Sequence, residues 1–280
     1  MGVKVVTDSG SDITPEAAEQ SGIAVVPVYL HFGDKVYRDG VDIGPDEFYE
    51  KLMSSPVHPL TSAPSPGDFA RIYEQAAQET DEIVSIHITS KHSATYNAAL
   101  LGREAVEKKG CRIEVIDSQG VTMWQGLVAL AAAEAAQAGY KLHQVVERIH
   151  EAIGQMRALA LLDTVKYAVR GGRLGKAMSA VESVLSVKVL LTLNNGEIRP
   201  AGLARTRAKG IERLRDFIKS ALPIEELALV YSTIPEDAHR LAEYTGSLVP
   251  NIVPKIVRMG PALGVHAGPG ALATLIRRTK

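Results

Sequence analysis

The chain has 280 residues, enough for one large domain or two smaller ones, and its 46% hydrophobic and 22% charged content is that of a folded globular protein. A formal net charge of −1 gives no argument for nucleic acid as a partner. The one cysteine, Cys111, excludes an internal disulfide framework and a cysteine-built zinc site.

Strand-like and helix-like runs alternate along the first half. VKVVT at 3–7 reads as a buried strand that ends in the polar turn DSGSD. TPEAAEQSG at 14–22 opens with a Thr N-cap and a Pro at the first helical position. AVVPVYLHF at 24–32 is extended, and Phe48, Tyr49 and Leu52 lie about one helical turn apart. SPGDFARIYEQAAQE at 65–79 carries the Ser65/Asp68 spacing of a capping box. Strand EIVSIHI, helix TYNAALLGREAVEKK, strand CRIEVID and helix TMWQGLVALAAAEAAQA follow. This alternation predicts a parallel, helix-covered sheet.

Beyond about residue 160 the texture changes. Residues 186–204 hold two strand-like runs around Asn-Asn-Gly, a hairpin signal. Helix TRAKGIERLRDFIKSAL, strand ELALVYS, helix PEDAHRLAEYTGSL, strand IVPKIVRMG and the tail VHAGPGALATLIRR come next, with His266 closing a strand-like run. The expected fold is therefore two-domain α/β. Residues 1–160 form a parallel-sheet α/β domain and residues 161–280 a mixed α+β domain. The N-terminus lacks the apolar core of a signal peptide. The longest apolar stretch, 126–139, contains Glu134 and is too short to span a bilayer. The expectation is a soluble cytoplasmic protein.

Four polar clusters sit at ends of these elements, where ligands of parallel α/β folds bind, and an arginine-bearing glycine run is a fifth feature. TDSGSD at 7–12 is first an Asx turn, and otherwise an acidic phosphotransfer or metal start built on Asp8. In PLTSAPSPGDF, Ser65 is spoken for as a cap, whereas Thr61 and Ser62 have no local duty. In ITSKHSATY at 88–96, Ser93 or Thr95 caps the next helix, and a helix start lined with hydroxyls also suits a carboxylate or phosphate. VHAGPG at 265–270 places His266 beside a glycine-rich turn. Arg170 and Arg173, with Arg199, Arg205 and Arg207 downstream, form either a solvated loop or a phosphate-facing surface. The chain lacks GxGxxG after a strand, GxxxxGK[ST], GxSxG, HExxH and CxxC. A catalytic reading therefore has only unordered pieces: Ser93 with His92 or His266 for a serine hydrolase or acyltransferase, or Asp8 with the arginines for a kinase half-site.

Seven motifs in order, VTDSGSDI, VPVYLHFGDKVYRDGVDI, TSAPSPGDF, ITSKHSATYNAA, VIDS, VRGGRLG and HAGPG, resemble those of the DegV family from residue 3 almost to the C-terminus. The chain departs from the family pattern at Ala94, where Gly is usual, at His92, often Leu, and at Ala63, often Gln. The resemblance implies one long-chain fatty acid as ligand, no catalysis by this chain and no cofactor or metal. It implies a carboxylate between the two domains, bound by Thr61 and Ser93 with His266 close by and Ser62 and Thr95 beside them. An apolar tunnel would take the tail, with candidate lining at 126–133 and 181–191. It also implies a separate ATP-dependent fatty acid kinase subunit that forms an acyl phosphate. Arg170, Arg173, Arg205 and Arg207 would face that partner or the phosphate. A lipid ligand further allows transient membrane contact.

Overall fold

A computed structural model describes residues 2–107, 110–173 and 187–279. The chain opens on β1 (Lys4–Asp8) and reaches α1 (Pro15–Ser21). Thr14 accepts the Ala17 N–H, Pro15 occupies a position whose N–H would be unpaired anyway, and Gly22 at φ 65° ends the helix. The run AVVPVYLHF becomes two strands, β2 (Ile23–Val26) and β3 (Tyr29–Phe32), which join different sheets. Pro27 lies at the break and has no N–H to donate to a ladder. Then come β4 (Lys35–Arg38), α2 (Pro45–Ser54), β5 (Leu60–Ser62) and α3 (Pro66–Ala76). The capping box of α3 is formed at both bonds: Ser65 Oγ accepts the Asp68 N–H, and Asp68 accepts the Ser65 N–H at 2.9 Å.

The first half closes with β6 (Glu82–His87), α4 (Thr95–Glu107), β7 (Arg112–Asp117), α5 (Met123–Gln137) and α6 (Leu142–Gln155). β8 (Met156–Leu162) and α7 (Lys166–Arg170) follow. The hairpin of β9 (Lys188–Asn194) and β10 (Glu197–Ala204) turns on Asn195 and Gly196, both at positive φ, as a tight two-residue turn requires. The remainder is α8 (Arg207–Ser220), β11 (Ile224–Tyr231), α9 (Pro235–Leu248), β12 (Lys255–Arg258), α10 (Pro261–Ala267) and β13 (Leu272–Arg278). His266 therefore lies on a helix, not at the end of a strand. Gly260 and Pro261 start α10, and Gly268 at φ 73° stops it.

Backbone contacts divide the chain into two units. The first is Met1–Tyr29 with Ser62–Gly154; the second is Leu30–Thr61 with Gln155–Lys280. This differs from a single cut at residue 160, because the excursion Leu30–Thr61 belongs with the C-terminal part. The reason is burial: Leu30, Ile43, Phe48, Tyr49 and Leu52 share one apolar cluster with Val265 of α10. Each such side chain contributes about 1.5–3 kcal/mol when removed from water.

In the first unit the sheet order is β2-β1-β6-β7, with every neighbouring pair parallel. Its core joins Val6, Val26, Phe69, Tyr73, Ile83, Ala99 and Val106. The chain moves from β1 to β2 on one side and later to β6 and β7 on the other. The topological switch point thus falls between the carboxyl ends of β1 and β6. In the second unit a mixed sheet runs β10-β9-β8-β13-β11-β12, antiparallel except for β11 with β12. A small sheet, β4-β3-β5, forms on the excursion.

Candidate functional site

At the switch point of the first unit the C-terminal ends of β1 and β6 carry Asp8 and His87, both fully buried. Asp8 Oδ1 accepts the Gly10 N–H at 3.0 Å, which is the Asx turn expected from DSGSD. Asp8 Oδ2 accepts the Ile88 N–H at 3.1 Å and Gln125 Nε2 at 2.9 Å, and faces His87 Nδ1 at 2.9 Å. Tyr73 OH donates to Ser85 Oγ at 2.8 Å, and Ser85 Oγ lies 2.7 Å from His87 Nε2. With Asp8 accepting, His87 carries its hydrogen on Nδ1 and accepts from Ser85 at Nε2. Burial pushes the Tyr73 phenol up, so it stays a donor. Ser85, His87 and Asp8 have the spacing of a nucleophile–base–acid relay, yet all three are 0% exposed. The bonds tie β6 to β1 through Asp8 and to α3 through Tyr73.

The loop after β6 carries the hydroxyls. Thr89 O accepts the His92 and Ser93 N–H groups, both at 3.2 Å. Ser93 Oγ accepts the Thr95 N–H at 3.2 Å and lies 2.8 Å from Thr95 Oγ1. Ser93 therefore makes a hydroxyl turn onto Thr95, the buried first residue of α4, from just before the N-cap position held by Ala94. When Thr95 donates both bonds, the Ser93 O–H remains a donor for a ligand. Among the described residues no imidazole hydrogen-bonds Ser93, so the nucleophile–base pair of a hydrolase is not formed there.

In the second unit, Thr61 Oγ1 lies 3.0 Å from His266 Nε2, and both side chains are partly buried. Thr61 reaches this position on β5 and His266 on the last turn of α10. Asp39 accepts the Ala262 N–H at 3.3 Å and so fixes the start of α10. Glycines let this region close. A Cβ on Gly171 would overlap the His266 ring, one on Gly268 the Tyr167 ring, and one on Gly264 would come within 2.5 Å of Phe48. Gly171 thus packs on His266, while Gly268 and Gly270 of the GPG motif pack on Tyr167 and Asp163. Sequence spacing signalled these glycines but not what they pack against.

The remaining candidates divide. Ser62, next to Thr61, is exposed. Arg170 and Arg205 are exposed, and Arg173 donates to Gly171 O at 2.7 Å. Arg207 departs from the expected outward role. Its Nε donates to Asp237 at 2.7 Å and its Nη1 to Asp163 at 2.8 Å and to Gly270 O at 2.6 Å. Two carboxylates and a carbonyl commit its partly exposed guanidinium to bonds within the second unit. His58 was not expected. Its ring stacks obliquely 5.9 Å from Tyr167, and burial, then Arg170 and Lys166, hold its imidazole below the usual range.

Of the expected tunnel lining, positions 127–129 and 131–133 on α5 are buried, as are Val189, Leu190 and Leu191. Residues 181–186 lie outside the described residues. A groove of about 640 Å³ between α5 and α6 has Glu134, Glu147, Arg148 and Glu151 in its wall, which does not suit an acyl chain. Among the described residues no group of His, Cys, Asp and Glu is placed to hold a metal, and no helix is long and apolar enough to cross a membrane.

An open parallel sheet with a hydroxyl-lined helix start at its switch point, joined in one chain to a mixed-sheet unit, defines a two-unit α/β protein, and the switch point is where ligands of such sheets bind. The family described as uncharacterised protein, DegV family, matches residues 2–279. A DegV domain-containing protein of Caldanaerobacter subterraneus is 34% identical over 274 residues, 96% of each chain. Protein DegV of Bacillus subtilis is 30% identical over 277 residues, covering 97% of this chain and 98% of that one. The chain belongs to the DegV family. Among solved structures, the fatty-acid-binding DegV family protein of Thermus thermophilus superimposes with a TM-score of 0.89 at 28% identity, covering 99% of both chains. A stearic-acid-binding protein of Eubacterium ventriosum gives 0.91 at 26% identity, covering 98% of both.

Proposed function

We propose that this protein binds one long-chain fatty acid without chemically altering it, and that Thr61 and Ser93 hold the carboxylate. The observation that carries this reading is the state of the two hydroxyls. Each has a neighbour placed to donate to it, Thr95 Oγ1 2.8 Å from Ser93 Oγ and His266 Nε2 3.0 Å from Thr61 Oγ1, and in that arrangement its own hydrogen can go to a ligand. With hydrogen on His266 Nε2, Thr61 accepts from the ring and donates to the ligand. Ser62 and Thr95 complete the polar surroundings. Neutral donors and a helix start suit an anion that must later be released or modified. Fatty-acid binding by relatives of the same fold over nearly the whole chain supports the ligand class.

The tail supplies the affinity. About fourteen methylenes at ~0.8 kcal/mol each give roughly 11 kcal/mol before ordering costs. The carboxylate is then offered to a separate ATP-dependent kinase that makes the acyl phosphate. Arg170, Arg173 and Arg205 form the face that meets this partner or the phosphate, while Arg207 braces the fold behind them.

Titration of lipid-stripped protein with palmitate tests the reading. Thr61→Val with Ser93→Ala is expected to weaken binding by about 1–3 kcal/mol, the worth of hydrogen bonds to a charged group. Saturable binding of equal affinity in both proteins would reject the carboxylate site, and no binding by the native chain would reject the ligand.

A further inference from the structure

The motif VIDS at 115–118 has no part in the ligand site described above. Its aspartate nonetheless reaches the loop that carries Ser93. Asp117 closes β7, directly beside His87 of β6 in register. Its Oδ2 accepts the Ser90 N–H at 3.1 Å and the Ser90 hydroxyl at 2.6 Å. Its Oδ1 accepts the N–H of Gln119 at 2.7 Å, and Gln119 stands at φ 54°. One carboxylate therefore ties together the loops that follow β6 and β7. Between its two anchor points Thr89 N–H donates to Gly120 O at 2.9 Å, which adds a third tie between the same loops. On the other side of β6, Asp8 holds the Ile88 N–H. Residues 88 and 90 are thus gripped by the aspartates that close the two neighbouring strands. The next links are Thr89 O to the N–H groups of His92 and Ser93.

We propose that Asp117 is a positioning residue for Ser93, setting through Ser90 where the Ser93 hydroxyl meets a carboxylate. This rests on the fatty-acid reading. Among the described residues Ser93 has no hydrogen bond to a group beyond its own loop and helix start. Its place is fixed by how residues 88–90 are anchored, and Asp117 supplies two bonds of that anchor. An asparagine cannot replace the carboxylate. It offers one acceptor oxygen where Ser90 and Gln119 need both, and it turns an N–H₂ toward another N–H.

The test is a mutant cycle on the full-length, lipid-stripped protein with two ligands, palmitate and methyl palmitate. The ester keeps the tail and lacks the charge. The native chain should bind palmitate more tightly than the ester. Asp117→Asn should weaken palmitate binding roughly tenfold, the net worth of about one hydrogen bond, and leave the ester unchanged. Added to Ser93→Ala, it should cost nothing more, because the residue it positions is gone. Ser90→Ala, which removes only the hydroxyl bond, should show the same pattern in milder form and serves where Asp117→Asn fails to fold. An unchanged palmitate affinity in these variants, an equal loss for both ligands, or a full additive loss on top of Ser93→Ala would overturn the proposal and leave the binding reading standing. A native chain that does not distinguish acid from ester would overturn that reading, and the positioning role with it.

Discussion

At the scale of single residues, the polar groups of the chain differ in what they are left to do. His266 is packed against Gly171 on one side and bonded to Thr61 on the other, so its ring has one place to be. His58 is the opposite case. Its Nε2 is buried and, among the described residues, has no hydrogen-bond partner. Burial and the nearby Arg170 and Lys166 favour the neutral ring in the folded state, below the ordinary value of 6.5. The unfolded chain then binds the extra proton first as the solution is acidified. Stability from this group is complete above pH 6.5 and falls as the pH drops through that value toward the lowered folded one. Urea midpoints at about pH 7.5 and 5.5 should therefore fall further for the native protein than for His58→Gln, since ordinary histidine titrates inside that window. Parallel loss in both proteins would contradict the assignment.

At the scale of elements, bonds join pieces that are distant in sequence. Arg207 at the start of α8 reaches Asp237 of α9, Asp163 after β8 and the carbonyl of Gly270 before β13. Among the described residues, its removal leaves Asp163 paired only with Lys188 at 3.3 Å and Asp237 only with Arg240 at 3.7 Å. Arg207→Ala should lower unfolding free energy by about 1–3 kcal/mol, seen as an earlier urea midpoint, whereas Arg205→Ala, at an exposed position, should change it by less than about 0.5 kcal/mol. Equal effects would show that the carboxylate pairing does not matter.

Local chemistry made many elements legible. Thr14-Pro15 and the Ser65/Asp68 pair marked their helix starts, and Asn195-Gly196 marked its hairpin. Ser93 and Thr95 were legible as a helix start with hydroxyls. Three features were not. Pro27 splits one apolar run between two sheets, and a run carries no record of its partners. His266 follows Val265 in what reads as a strand, although the preceding Gly-Pro had already set a helix. The Asp8–His87–Ser85–Tyr73 chain joins residues up to 79 positions apart, and only pairing of β1 with β6 brings them together.

At the scale of the whole molecule, neither unit is a continuous stretch of chain. Residues 155–280 lack the aromatic cover that Phe48 and Tyr49 lay over Val265 and Gly264. A fragment of those residues should expose the α10 face, bind a hydrophobic dye and melt without a sharp transition, while the intact chain melts cooperatively. A fragment with the native chain's melting point and no dye binding would show that the excursion is dispensable. The same threading fixes an order of events on the ribosome. By the time residue 154 has been made, every segment of the first unit exists and that unit can fold. The excursion Leu30–Thr61 has emerged by then, but Val265, the partner of its Phe48 and Tyr49, is more than a hundred residues from being made. At roughly 5–20 residues per second those aromatic rings wait about a further 5–20 s in contact with water or a chaperone before their cover arrives.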